Sequence, residues 1–443
     1  MLASEQQSFA AARPRSATLA RRAAKHFAHS VPMHWMRDWG TPFPLYVHEA
    51  QGAELVDVDG HRYVDFCLGD TGAMFGHSPP AISTALAAQA ARGLTCMLPG
   101  EVAADVGDAL AEVFGLPWWQ VTQTATDANR AVLRHARALT GRRRVLVFNH
   151  CYHGTVDETL AVSAAGKAAP RPGLVGSVFD VATTTAVVEF NDLPALRAVL
   201  AAGDIACVLA EPVMTNAGMV LPQPGFLGAL REACTATGTL LIIDETHTLS
   251  SGRGGYARVH GLAPDILVCG KAIAGGVTCA VFGYTDAVAQ RMQAAELLRE
   301  PGHSGIGTTL AANPLALAAL HAGLTQLMTP GNHAYMDDLA ARLASRIEQA
   351  LAAHRIDWHV SRVGARLEFG RGPPPVNGSL SVAAIDHDLE GAMHLFLLNR
   401  GCLLTPFHNM MLISPATTLS QIERFLAVFD DCLDEFGDLL RAA

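Results

Sequence analysis

Long hydrophobic runs, a basic face, paired cysteines and lysines are missing or scarce in this 443-residue chain. No stretch approaches the roughly 18 uncharged apolar residues that a membrane-spanning helix needs, so no membrane partner is expected. Charged residues make up only 16% of the chain and apolar residues 50%, which argues for a large buried core and against disorder. The net charge is −9 and the basic residues form no stripe, so no nucleic-acid partner is expected. The nine cysteines are an odd number, without Cys-x-x-Cys spacing. They sit in apolar runs, such as those around Cys207 and Cys269. That pattern predicts free thiols in a reducing compartment, the cytoplasm, with no disulfide framework and no metal. Lysine is the rarest basic residue: Lys25, Lys167 and Lys271 are three of 32 Lys and Arg, which leaves 29 arginines (32 − 3).

The length predicts two packed domains. Residues 44–66 read as an antiparallel meander that turns at Asp57-Val58-Asp59-Gly60. Ala103–Phe114 and Asp127–Thr140 carry apolar residues at helical spacing. Short apolar strands then alternate with helices: Arg144–Phe148, Ala206–Ala210, Leu240–Ile243, Ile266–Val268 and Ala280–Gly283. Such runs mark an α/β fold with a mostly parallel sheet flanked by helices. After Asn313 helical spacing dominates, at 315–328, 334–354, 386–399 and 419–436. The expected division is an arm at 1–30, a first piece of a smaller α+β domain at 31–75, a large domain at 76–312 and a C-terminal piece of the small domain at 313–443. The arm is rich in Ala and Arg and has no apolar core, so a secretion signal is not expected. It reads as an amphipathic helix packed on the body or on a second subunit, with a transit peptide as the alternative. Ala164–Gly173 and Gly370–Gly378 read as mobile loops.

Arginine does the general basic work, so a retained lysine can serve a task that arginine cannot. A guanidinium stays protonated, whereas a primary amine can form an imine. Lys25, in the arm, and Lys167, in a Gly/Pro loop, read as solvated charges. Lys271 follows the apolar strand ending at Cys269, at the strand end where open α/β sheets bind ligands. The strand before it ends in Asp244-Glu245-Thr246-His247. A carboxylate there can face a pyridine nitrogen and keep the ring an electron sink, as a pyridoxal cofactor requires. Thr124-Ala125-Thr126-Asp127-Ala128 opens a helix, and its hydroxyls and free amides suit a phosphate. The same segment also reads as a plain N-cap. Tyr152, in Tyr152-His153-Gly154, is either a ring that stacks on the cofactor or a surface tyrosine.

These pieces, in this order, resemble the class III (subgroup II) aminotransferases of fold type I, in the branch of glutamate-1-semialdehyde aminomutase and β-amino-acid aminotransferases. The resemblance covers roughly residues 30–440. Gly76-His77-Ser78-Pro79, Thr140-Gly141-Arg142, Tyr152-His153-Gly154, Glu211-Pro212, Gly270-Lys271 with Gly275-Gly276, and Thr309 ahead of Asn313-Pro314 carry it. It implies pyridoxal 5′-phosphate held as a Schiff base on Lys271, with Asp244 against the ring nitrogen. It places Thr124, Ala125 and Thr126 at the phosphate and Tyr152 on the ring, with Glu211 nearby. Thr246 stands on the ring's other face, where the family has valine. It also implies a homodimer in which Thr309 reaches the neighbouring subunit's cofactor. His247 stands where the family places Gln or Met, near the cofactor's 3′ oxygen, and Ala125 replaces a glycine of the cup.

For substrate, Arg37 could clamp a carboxylate, with Trp35 and Trp39 walling an apolar pocket. The alternative for this segment is a packed anchor. Val31–Pro44 departs from the aminomutase's Asn-Ser-Pro-Val-Arg type segment. His408, in Thr405-Pro-Phe407-His408-Asn409, lies in a loop where the β-amino-acid aminotransferases place an arginine, and a histidine there is a weaker carboxylate partner. The expected reaction is a transaminase's, with an amino acid or amine as donor and a 2-oxo acid as acceptor. An aminomutase or a racemase on the same scaffold is the alternative. A cofactor-binding regulatory module is a third reading, disfavoured because no DNA-binding segment is evident.

Overall fold

A computed structural model describes residues 2–177, 179–297, 304–406 and 408–442; Phe407, in the expected substrate loop, lies outside the described residues. The chain divides into two compact units. One comprises Met1–Pro79, Tyr335–Pro374 and Ala384–Ala443, the other Pro80–Ala334 and Pro375–Ala383.

The second unit is built on a seven-stranded sheet. Its strands are β1 Trp118–Thr122, β2 Arg144–Phe148, β3 Thr185–Val188, β4 Ile205–Ala210, β5 Leu240–Asp244, β6 Ile266–Cys269 and β7 Ala280–Tyr284. They lie side by side in the order β1-β7-β6-β5-β4-β2-β3, and β7 runs against both its neighbours while the other pairings are parallel. Every residue of β4 and β5 is buried, as strands covered on both faces must be. Helix α1, Ala125–Thr140, buries Ala128, Val132 and Ala136 at i, i+4 and i+8 and stops at Gly141, whose φ of 67° suits a left-handed cap. Phe148, Phe190 and Phe226 meet edge-on with centroids 4.9–5.8 Å apart. Each such ring pair adds about 0.5–1.5 kcal/mol to the burial term.

The first unit holds two smaller sheets. Val47–Gln51, Glu54–Asp57 and Arg62–Asp65 form the expected meander, extended by Cys402–Leu403 running parallel to the third strand. Trp358–Val363, Arg366–Arg371 and Met410–Leu412 form the other sheet, all antiparallel. The N-terminal arm is two helices, Leu2–Ala12 and Pro14–Ala23. They are integral to this unit: Phe9 is fully buried, and Arg13, 2% exposed, bonds the Tyr63 hydroxyl at 2.9 Å and Asn399 at 3.1 Å.

Three expectations need correction. Ala164–Gly173 is largely the second half of a β-hairpin, pairing Ala161–Ala164 with Lys167–Pro170. Its turn residues Ala165 and Gly166 both have positive φ, the geometry that matches strand twist. Small residues hid these strands: Lys167–Pro170 has no β-branched residue and Ala161–Ala164 has only Val162. Residues 313–334, expected with the C-terminal piece, belong to the second unit, because helix α2, Pro314–Ala322, packs on Pro80–Ala90. The helix expected at 315–328 ends at Ala322 and continues as a π-turn to Leu327.

Candidate active site

The parallel strands bring Asp244, Lys271 and the start of α1 to one end of the sheet. Asp244 closes β5 and pairs with Val268 of β6, so the lysine three residues on leaves the adjacent strand tip. Lys271 itself has φ of 47°, a left-handed backbone that costs a non-glycine residue roughly 1–2 kcal/mol. Such strain persists where the surroundings dictate it, typically at functional sites. Here the half-buried side chain leaves the turn with Nζ 2.8 Å from Nε2 of His247. Gly270 allows the turn to sit close: a Cβ there would come within 2.9 Å of the Ala125 Cβ.

Asp244 is 3% exposed and held from three directions. Asn129 Nδ2 donates to Oδ2 at 2.9 Å, His153 Nδ1 lies 3.0 Å from the same oxygen, and the Thr246 amide donates to Oδ1 at 3.1 Å. Burial opposes its ionisation, but the bonds and charge of His153 and the bonds from Thr246 and Asn129 outweigh burial and bring the carboxyl down to about 2. Burial likewise works against a charged His153; the Cys151 sulfur and the Asp244 carboxylate overcome it and hold the imidazole's proton well above its ordinary range. Asn129 Nδ2 also reaches the His153 carbonyl at 3.1 Å, so α1 fixes both members of the pair. Neither Asn129 nor His153 was identified from the sequence. His153 stands inside the quoted Tyr-His-Gly motif, whereas nothing local marks Asn129.

Glu245 turns to the opposite side, where it accepts from the amides of Tyr256 and Ala257 and from Thr248. Burial raises its carboxyl to about 7. Its role is to hold the Gly255–His260 helix: a Cβ on Gly255 would meet the carboxylate at 2.6 Å.

The phosphate candidates lie at the N-terminus of α1. Thr124 is the N-cap, its hydroxyl donating to Asp127 Oδ2 at 2.8 Å and accepting from the Asp127 amide at 3.3 Å. The Thr126 hydroxyl accepts from the Thr155 amide at 3.2 Å. The amides of Ala125 and Thr126 begin the helix and have no carbonyl one turn earlier within it. Both the N-cap and the anion-binding reading of this segment are thus accommodated. Tyr152 is half-buried with the Arg171 guanidinium 5.7 Å from its ring, and Arg171 also bonds the carbonyls of His150 and Cys151. Glu211, 3% exposed, accepts from Thr215 Oγ1 at 2.6 Å. Thr309 is exposed beside Thr308, whose hydroxyl donates to Gln123 at 2.6 Å.

The substrate candidates all lie in the first unit. Trp35 and Arg37 are exposed on the turn His34–Arg37. Trp39, with Met36, Leu45, Leu55, Leu398 and Leu403, walls an apolar cavity of about 300 Å³, which Trp35 does not line. His408 is buried, with Nδ1 2.9 Å from Glu368 Oε1. Burial disfavours its charge, but Glu368 prevails and raises its affinity for a proton. That charge is matched internally by Glu368, which weakens the case for His408 as a carboxylate clamp.

The class follows from comparison with known proteins: the class-III aminotransferase profile matches residues 35–432, and the chain belongs to that family. More particularly, it is 33% identical over 404 residues to a glutamate-1-semialdehyde 2,1-aminomutase of Roseiflexus castenholzii, covering 90% of this chain and 92% of that one. A crystal structure of a glutamate-1-semialdehyde aminomutase from Pseudomonas aeruginosa superposes with a TM-score of 0.96 at 49% identity, covering 98% of this chain and 97% of the other. A β-phenylalanine aminotransferase from Variovorax paradoxus superposes with a TM-score of 0.88 at 29% identity, covering 99% and 98%. The fold is fold type I, a large mixed sheet with flanking helices.

Proposed function

We propose that this chain catalyses amino-group transfer on a small amino-acid substrate, with Lys271 as the amine that carries the cofactor. It is an enzyme of the pyridoxal-phosphate-dependent class III family, and the cofactor is pyridoxal 5′-phosphate. Bound, that group supplies an aldehyde with which amines condense and a cationic ring that accepts an electron pair from the amine-bearing carbon. The residues present fit it. Asp244, kept ionised by His153, Asn129 and the Thr246 amide, would hold the ring nitrogen's proton. The first amides of α1 would hold the phosphate, a helix-end interaction of about 0.3–2 kcal/mol. The Thr246 hydroxyl is buried without a hydrogen-bond partner among the described residues, so it can serve a bound group. Tyr152 and Thr246 would flank the ring, and Glu211 would support the site from the end of β4.

The observation that carries this reading is the amine at the tip of β6, on a backbone turned left-handed, beside the strand that ends in a clamped carboxylate. The likeness to the Roseiflexus and Pseudomonas aminomutases favours transfer within one molecule, a 2,1-aminomutase reaction. Transfer between two molecules is the second reading. It is favoured by the Val31–Pro44 departure and by the likeness to the β-phenylalanine aminotransferase. Its donor would be an amino acid or an apolar amine, its acceptor a 2-oxo acid. We further propose a homodimer, supported by exposed Thr309, and a cytoplasmic location, supported by nine free cysteines.

Borohydride reduction of the cofactor-loaded protein should fix the cofactor on a peptide containing Lys271, and Lys271→Ala should abolish the near-visible absorbance band and turnover. Turnover retained by that variant refutes the assignment. Turnover of glutamate-1-semialdehyde without added oxo acid supports the aminomutase. Conversion that stops after one equivalent until an oxo acid is added supports the transaminase.

A further inference from the structure

The tip of β5 supplies a second base to the site. Past Asp244 the chain makes a tight turn, and the 9%-exposed His247 carries its ring to Lys271, with Nε2 and Nζ 2.8 Å apart. Two nitrogens at that distance need a proton on one and a lone pair on the other. An ammonium facing an imidazolium has no acceptor. The contact therefore fits a lysine–histidine pair that passes a proton from one member to the other. His247 is also tethered: its carbonyl accepts the Ser250 hydroxyl at 3.0 Å, so the ring's base is fixed while its tip faces the amine.

Among the described residues, the other ionisable groups on these strand tips already have partners of their own. Asp244 accepts from Asn129, His153 and the Thr246 amide. Glu245 points away and accepts from Tyr256, Ala257 and Thr248. Burial, with Glu245 and Asp244 nearby, holds the proton on the Cys269 thiol, and burial does the same for Cys279. His153 is engaged by Asp244. Among the described residues, His247 is a base in direct contact with Nζ.

We propose that His247 is a catalytic proton-transfer residue for Lys271: it takes a proton from the ammonium so that Nζ can attack a carbonyl, and later returns it. This rests on the reading of Lys271 as the cofactor-carrying amine. The step balances. Nζ loses one proton to His247, and its freed lone pair forms a bond to the carbonyl carbon as the C=O pair moves to oxygen. That oxygen then takes one proton from Nζ and the other back from His247, and leaves as water. The C=N product keeps the positive charge, and His247 ends neutral.

The experiment mixes cofactor-free protein with pyridoxal 5′-phosphate in a stopped-flow instrument and follows the near-visible band from pH 6 to 9. A general acid–base contribution predicts that His247→Gln slows band formation about 100-fold or more at neutral pH and flattens the pH dependence. His247→Ala should be slow in the same way and be accelerated by added imidazole, a rescue that a purely structural role would not give. Circular dichroism of both variants reports whether they fold. A folded His247→Gln variant with the wild-type rate and profile, or folded His247→Ala unaffected by imidazole, overturns the relay while Lys271 keeps its assignment. A wild-type adduct fixed by borohydride on a peptide without Lys271 overturns that assignment and the relay together.

Discussion

Replacing His153 by alanine removes one member of a buried ion pair and strands the other. Asp244 then keeps only Asn129 and the Thr246 amide, and removing one partner from a buried pair costs about 3–5 kcal/mol. The pH dependence gives a sharper signature. The folded Asp244 carboxyl stands at about 2 against an ordinary 3.8, a difference worth about 2 kcal/mol. That stability is fully present above the ordinary value and is lost as pH falls through the folded one. His153 is shifted upward, so its contribution is fully present below its ordinary 6.5 and is lost as pH rises through the folded value. The two contributions overlap between 3.8 and 6.5, where wild type should exceed His153→Ala by the widest margin. Urea unfolding of the cofactor-free proteins, at one protein concentration and at steps from pH 4 to 8, measures it. A loss below about 1 kcal/mol at pH 5.5, or parallel pH curves for the two proteins from 5 to 8, would refute the clamp as an ion pair.

Asp244→Asn should still bind pyridoxal phosphate but turn over at least about 100-fold more slowly, because an amide cannot hold a ring proton by charge; a wild-type kcat contradicts that role. Gly154→Ala places a methyl on a backbone at φ 80°, where it would overlap Thr126 Oγ1 and approach the Thr126 Cα at 3.0 Å. The left-handed backbone costs about 1–2 kcal/mol and the overpacking about 1–3 kcal/mol, so a lower Tm and weaker cofactor affinity are expected together; an unchanged cofactor Kd would show that the loop does not shape the cup. His135, 2% exposed and edge-on to Phe282 and Tyr284, has its imidazole pushed down by burial to about 4 from 6.5. Unfolding lets it take up a proton, so wild type loses up to about 3 kcal/mol as pH falls from 6.5 through 4. His135→Leu should escape that loss, and parallel acid unfolding of the two proteins would contradict it.

The legible parts of this molecule are those written within one strand or one helix. β4, β5 and β6 announce themselves as continuous apolar runs, and the residues that end or directly follow such a run emerge at the carboxyl end of the sheet; spacing alone therefore puts Asp244 and Lys271 there. The clamp on Asp244 could not be read in this way, because its parts come from one face of α1 and from the loop after β2. Helical spacing shows that Asn129 is buried, not what it is buried against. The boundary between the units departs from the sequence expectation for the same reason: nothing local in 313–334 says that it packs on 80–90. The N-terminal arm shows the opposite failure. Arg13 looks like a solvated charge in an Arg-rich stretch, yet it is buried with Asp57 at 3.5 Å and the Tyr63 hydroxyl at 2.9 Å. Lys271 joins the two cases. Its scarcity could be counted and its strand end inferred, but its left-handed backbone and its contact with His247 are tertiary. The turn carries a Gly before the lysine and two more at 275 and 276, residues that accept such geometry freely. The strained position itself holds an amine, which is the arrangement expected if the side chain's chemistry, rather than the turn's comfort, decides which residue stands there.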